Sequence, residues 1–178
     1  MPPFGLPAFT LLHVLLSVVG IVSGLVVVGG LMSGRRLDGS TAAFLVTTVL
    51  TNVTGFFFPF TVFLPSHGVG ILSLLILPAV IAAVYWKQLA GRWRAVFVAG
   101  SVTTLYLNVF VLMTQLFRKV PAMLVLAPRQ NELPFLLTHL LVLVLFVRLG
   151  RAAWKGFVTP RVADGGDVLA AGRAAAAH

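Results

Sequence analysis

Apolar residues run along this chain in five long blocks, approximately Phe9–Met32, Thr41–Leu64, Val69–Trp86, Ala95–Phe117 and Leu133–Trp154, and the short segments between them hold most of the charge. Hydrocarbon about 30 Å thick takes about 20 apolar residues per helical crossing. The pattern therefore predicts an all-α integral membrane helical bundle with five transmembrane helices, forming a single domain over residues 1–155. After Trp154 the chain turns to Gly, Ala and scattered charges with no repeated apolar face, which predicts a disordered cytoplasmic tail over 156–178.

The breaks have recognisable chemistry. Ser33-Gly34-Arg35-Arg36-Leu37-Asp38-Gly39-Ser40 reads as a compact turn, with Ser40 or Thr41 placed to cap the second helix. Pro65-Ser66-His67-Gly68 reads as a break before the third, and Pro78 removes a backbone donor near the middle of that block, predicting a kink. The stretch Val120–Pro128, inside the linking segment Arg118–Asn131, is too short to cross but apolar enough to lie on the bundle or at the lipid interface. The pattern leaves open whether it is re-entrant or an external cover.

Composition sharpens the class. With 59% apolar and 10% charged residues, the chain lies far from the soluble norm of about 25% charged, so a water-soluble domain is excluded. A formal charge of +9 in a soluble protein would suggest nucleic acid. Here Lys and Arg gather at helix ends, so the expected partner is the lipid bilayer with its anionic headgroups, and not nucleic acid. The absence of Cys removes thiolate metal sites, iron–sulfur clusters and covalently attached c-type haem. The first 9 residues hold Pro2, Pro3 and Pro7 and no Lys or Arg. They lack the basic start of a cleaved signal peptide, so the first block is expected to stay as a span.

Charge also predicts orientation. With the N-terminus outside, the cytoplasmic segments 33–40, 87–94 and the C-terminal region hold Arg35, Arg36, Lys87, Arg92, Arg94, Arg148, Arg151, Lys155, Arg161 and Arg173, leaving Arg118, Lys119 and Arg129 outside. The positive-inside preference selects N-out/C-in, and Trp86, Trp93 and Trp154 all fall at the same inner interface. An even number of spans remains the rival, if Thr41–Trp86 forms a re-entrant pair.

Helix seams in lipid are made by small residues and by polar groups that bond across them. At about 100° per residue, His13, Ser17, Gly20 and Gly24 share one face of the first helix. The Gly20–Gly24 pair suits packing within the chain or a homodimer. Thr48, Thr51, Asn52 and Gly55 share a face of the second helix, and Ser101, Thr104, Asn108 and Gln115 one of the fourth. Both faces should point inward, with Asn52 and Asn108 bonded to each other or to backbone and the hydroxyls bonded back to their own helices. Asn108 is open to a second reading, as the lining of a binding site.

Candidate chemistry collects at the predicted outer end. His13, His67 and His139 share a depth there, which suits three roles: ligation of haem or metal, with His13 and His139 as axial ligands of b-type haem; hydrogen bonding to a quinone or other small ligand; or plain packing. Gln115, Lys119, Arg129, Gln130, Asn131 and Glu132 gather on the same side. Glu132, just before Pro134, either complements the start of the fifth helix or pairs with His67 as a proton acceptor at the mouth of a pocket. The acidic residues Asp38, Glu132, Asp164 and Asp167 all lie outside the spans, which disfavours coupled ion transport. Glu-x-x-His, HExxH, phosphate-binding Gly-rich and GxSxG motifs are absent from the sequence, so di-iron, hydrolytic and phosphoryl-transfer chemistry lack their groups.

Gly55-Phe56-Phe57-Phe58-Pro59-Phe60 with Phe63-Leu64-Pro65-Ser66-His67-Gly68-Val69-Gly70-Ile71-Leu72-Ser73, and Lys119-Val120-Pro121 with Ala127-Pro128, Gln130, Glu132 and Pro134-Phe135, resemble motifs of small multispan bacterial inner-membrane proteins. The resemblance covers about residues 1–150 and implies a compact helical protein of the bacterial inner (cytoplasmic) membrane, with no activity attached. The expected function is a non-enzymatic membrane protein whose outer polar site, drawn from His13, His67, Asn108, Gln115, Lys119, Gln130, Glu132 and His139, binds a small molecule, quinone-like or lipid, or a partner subunit. A redox protein carrying haem b or quinone is the first alternative, and an accessory or self-associating subunit of a larger membrane complex the second.

Overall fold

A computed structural model describes residues 6–59 and 65–159, and every regular element among them is helical. Helix α1 covers Leu6–Met32, α2 Asp38–Gly55 and α3 Pro65–Ile81, which runs on as a π-helical turn over Ala82–Trp86; α4 covers Trp93–Lys119, α5 Pro121–Leu126 and α6 Leu133–Phe157. The predicted tail lies outside the described residues from 160 onward, and its first two positions, Gly156 and Phe157, belong to α6.

Several predicted boundaries move. Helix α2 starts at Asp38, with Leu37 before it in extended conformation. Neither Ser40 nor Thr41 is its cap, and the Thr41 hydroxyl donates instead to the Leu37 carbonyl at 2.8 Å. The same helix stops at Gly55, well short of Leu64. Pro65-Ser66-His67-Gly68 is not a break: Pro opens a helix readily because its missing N–H has no partner in the first turn, and these residues form the start of α3. Helix α3 continues through Pro78 and widens into the π turn one turn later.

Register is legible from paired contacts. A Cβ on Gly20 would meet Thr47 and Thr48, one on Gly24 would meet Phe44, and one on Gly30 would meet Leu37, while His13 reaches Thr54. Helices α1 and α2 are therefore antiparallel along most of their length. The same reading holds for α4 and α6, where Phe97 meets Phe157, Val102 faces Gly150, Tyr106 meets Phe146 and Thr114 meets His139. Gly100 receives Val80 of α3, so that pair is also in close contact. One end of the bundle thus gathers the start of α1, the end of α2, the start of α3 and the segment from Thr114 to Leu133. The other gathers residues 32–38, 84–94 and 150–158.

Helix α4 is the hub. It touches α1, α3, α5 and α6, and 39% of its most apolar stretch is buried against 6% for α6. Phe44, Leu77, Val80, Phe97, Val98 and Leu105 are closed from solvent around it. The seam glycines of α1 are filled from within the chain, Gly20 by α2 and Gly24 by Phe44 and Leu105. Outward faces are apolar: Leu11, Leu15, Val18, Val22, Leu137, Leu141 and Val144 are exposed. Contiguous apolar surface of this extent is unstable in water and suited to acyl chains.

Four helices are long and apolar enough to cross a membrane, over Pro7–Met32, Ser66–Trp86, Trp93–Lys119 and Leu133–Phe157. Helix α2 differs because Thr47, Thr48, Thr51, Asn52 and Thr54 dilute its apolar character. Its 18 residues still extend about 27 Å at 1.5 Å per residue.

Candidate functional site

Helical periodicity gives α2 and α4 a polar face each, and the two meet through the single pair Asn108 and Thr48. Asn108 Nδ2 donates to Thr48 Oγ1 at 3.2 Å, and Asn52 Nδ2 donates to the Thr48 carbonyl at 2.8 Å and to Ser73 Oγ at 3.2 Å. Thr48 is fully buried and joins the two amides, which do not need each other. The expected return of hydroxyls to their own helices fails for Thr51, Ser101 and Thr104, whose buried oxygens have no hydrogen-bond partner. Asn108 belongs to this layer, about two turns deeper than Thr114.

The three histidines do lie toward one end, but each has its own setting. His13 Nδ1 is 2.8 Å from Thr54 Oγ1, and its ring meets the edge of Phe58. His67 is buried in the first turn of α3 and stacks on Phe56. His139 is held most firmly. Its ring lies 4.0 Å from Phe135 and 4.6 Å from Phe110 between centroids, with Nδ1 2.9 Å from the Phe135 carbonyl and Nε2 3.2 Å from Thr114 Oγ1. A carbonyl only accepts, so Nδ1 carries the hydrogen and Nε2 faces the threonine hydroxyl.

A bis-histidine haem needs two imidazole nitrogens converging on one gap. His13 and His139 turn to threonines in separate helix pairs, α1 with α2 and α4 with α6, and the arrangement does not fit that cofactor. Among the described residues, no three His, Cys, Asp or Glu side chains gather as a metal-holding group.

What the same end does contain is a cavity of about 320 Å³ lined by Ser66, Thr114, Gln115, Arg118, Leu124, Pro128, Arg129 and Gln130. The last turns of α4 supply one wall, since Thr114, Gln115 and Arg118 fall on one face by helical spacing. Helix α5 and its following turn fold back over α4 as the other wall. Gln130 secures that turn: its backbone is left-handed at φ 60°, and its Nε2 donates to the Thr114 carbonyl at 3.3 Å. A non-glycine residue held there stores backbone strain of about 1–3 kcal/mol, which surrounding contacts must offset.

Glu132 holds the turn from the other side. It stands just before α6, and its carboxylate accepts the backbone N–H of Arg129 at 3.0 Å and of Asn131 at 3.1 Å. Desolvation pushes its pKa up, but hydrogen bonds from the Arg129, Glu132 and Asn131 amides together with the Arg129 charge outweigh that and hold it below its ordinary value. Both carboxylate oxygens are thereby engaged by the loop, which makes Glu132 a residue that shapes the cavity wall.

Of the residues singled out by sequence, Gln115 and Gln130 line the cavity, His139 stands one hydrogen bond behind its Thr114 wall, and Glu132 fixes its loop. His13, His67, Asn108 and Lys119 are not in its lining. Ser66, Thr114 and Arg118 were missed, although Thr114 and Arg118 stand one turn apart near the end of α4. Arg129 falls on this side by sequence, with no role attached to it. Compared with family models, with curated proteins and with solved structures, the chain matches none.

Proposed function

We propose that this chain is a small polytopic protein of the bacterial inner membrane, crossing it five times with the N-terminus outside and the C-terminus inside, whose outer-end cavity binds a small amphiphile rich in hydrogen-bond acceptors. The lining carries the reading. Arg118 and Arg129 can only donate, and Gln115, Gln130 and Ser66 add further donors, so the complementary head presents oxygens: a carboxylate, a phosphate or quinone-type carbonyls. Leu124 and Pro128 provide an apolar side for the rest of the molecule. Among the described residues the lining holds no carboxylate or imidazole to serve as a general base, which favours binding over turnover.

The antiparallel register supports the fifth crossing. Helix α2 leaves the end where Gly30 meets Leu37 and reaches the level of His13 through Thr54, so its 18 residues run beside about two thirds of the 27 of α1. Single cysteines test the topology against a background that has none: Pro2→Cys should label only from outside and Ala175→Cys only from inside.

Native mass spectrometry of the detergent-solubilised protein tests the site. A non-protein mass at one per chain is expected in the wild type and should be lost when Gln115→Leu and Arg129→Gln are combined. An adduct unaffected by both substitutions overturns the reading. The exposed Val125, Leu126 and Leu133 beside the cavity favour one second reading, a surface for a partner subunit, which co-purification of a larger assembly in mild detergent would support.

A further inference from the structure

The opposite end of the bundle carries a second and larger cavity, about 690 Å³, lined by Gly34, Arg36, Gln88, Leu89, Gly91, Arg94, Phe157 and Val158. We propose that it seats a phosphate group, with the headgroup of an anionic phospholipid as its bearer, held by Arg36 and Arg94. This goes beyond the outer-end reading and does not rest on it.

Three chain segments must meet to build this cavity, and two of them do so by an unusual local feature. The α1–α2 turn approaches α6 so closely that a Cβ on Gly34, whose φ is +73°, would stand 3.0 Å from the Gly156 carbonyl oxygen. The α3–α4 loop holds Gln88 and Leu89 in consecutive left-handed conformations, at φ 47° and 57°, and Gly91 at 51°. That winding sinks Leu89 into the core, where it is buried, and leaves Gln88 and Gly91 at the cavity. Conformations of this kind cost about 1–3 kcal/mol each for non-glycine residues and persist where packing over-determines them.

Its chemistry is amphipathic. The Arg94 guanidinium lies over the Phe157 ring at 5.1 Å, which fixes its plane at the cavity wall. Arg36 pairs through Nε with Asp38, an arrangement that leaves its terminal nitrogens for another acceptor. Among the described residues the acidic side chains are Asp38 and Glu132, and Glu132 is at the far end, so two arginines meet one carboxylate here. A phosphate diester restores the balance and accepts from both forks. Level with these groups stand Trp86 and Trp154, exposed by 77% and 43%, as indoles at the headgroup depth are expected to be. Basic pockets between helices at that depth suit anionic headgroups, whereas zwitterionic phosphatidylcholine brings its own cation.

The full chain, reconstituted in nanodiscs with equal phosphatidylglycerol and phosphatidylcholine and then released into neutral detergent, should retain phosphatidylglycerol selectively by native mass spectrometry. Arg94→Gln or Arg36→Gln should lower that retention about ten-fold, the range for loss of one charge-assisted contact. Arg148→Gln, an exposed arginine of α6 outside the lining, should leave it unchanged. Melting of each variant in phosphatidylcholine alone identifies any that fails to fold, and the two arginine variants are independent in this respect. A melting rise with inorganic phosphate, lost in Arg94→Gln and unaccompanied by lipid preference, keeps the phosphate seat and makes its occupant a solute. Equal retention in all variants, or equal loss in Arg148→Gln, overturns the proposal, because either result reduces the arginines to diffuse surface charge.

Discussion

Gly156→Ala tests the helix arrangement most directly. A Cβ at this position would lie 2.3 Å from the Met32 carbonyl oxygen and 2.6 Å from that of Leu31. Carbon and oxygen meet at about 3.3 Å or more, so the last turn of α6 must retreat from the end of α1 by about 1 Å. The obstructing atoms are backbone and cannot swing aside as a side-chain tip would. Nor can α6 pivot freely, because Ala153 and Phe157 on either side are buried. Overpacking of this kind costs about 1–3 kcal/mol, against which alanine regains up to about 1 kcal/mol of helix propensity. A net loss of about 1–2 kcal/mol lowers the melting temperature by about 2–8 °C for a chain of this size. Tryptophan fluorescence of the detergent-solubilised protein reads the transition, since Trp154 stands in the same turn. Gly29→Ala is the matched control, with nothing within 4 Å of its added carbon. If Gly156→Ala melts as high as Gly29→Ala, α1 and α6 do not approach as described, and the floor of the larger cavity goes with that contact.

Thr48→Val should destabilise the bundle by about 0.6–2 kcal/mol by stranding the Asn108 amide, and adding Asn108→Leu should recover part of that loss; a thermal melt of the double variant no better than the single would remove the Thr48–Asn108 bond from the account. Glu132→Gln should lower stability at neutral pH, and because the folded carboxyl lies below its ordinary 4.5, its contribution is present above that value and fades as pH falls through the lowered one, so the melting gap to wild type should close below about pH 4.5. Gly100→Ala drives a carbon to 2.3 Å from Val80 Cγ2 and should be relieved by Val80→Ala in the same chain, a rescue measurable by the same melts. Thr114→Val removes the hydroxyl between the cavity wall and His139 and should shift the imidazole resonances of that histidine in a nitrogen-labelled sample while leaving those of His13 in place.

How far the sequence carries depends on which coordinate is asked for. Spacing along one helix is local, so the arcs of Thr48 with Asn52 and of Ser101, Thr104 and Asn108 were legible, and Asn108 does reach Thr48 between them. The partners of a face are not local: nothing in the α1 sequence says that Gly24 receives Phe44 and Leu105 rather than a second copy of itself. Helix α2 exposes the same limit from another side, since Asn52 and Thr48 turn its polar face inward and lower its mean hydropathy below that of the four longer apolar helices. Depth was legible too, for the three histidines do lie toward one end. Depth is one coordinate, however, and a ligand site needs three; rotation about the helix axes sends His13 to Thr54 and His139 to Thr114. The cavity arises instead where α5 doubles back on α4, a reversal fixed by the left-handed Gln130 and by the grip of Glu132 on two loop amides. No periodicity announces such a turn. It follows that the donors around it, Arg118 and Arg129 included, could be listed from the sequence as neighbours of one membrane surface but only the fold could make them walls of one space.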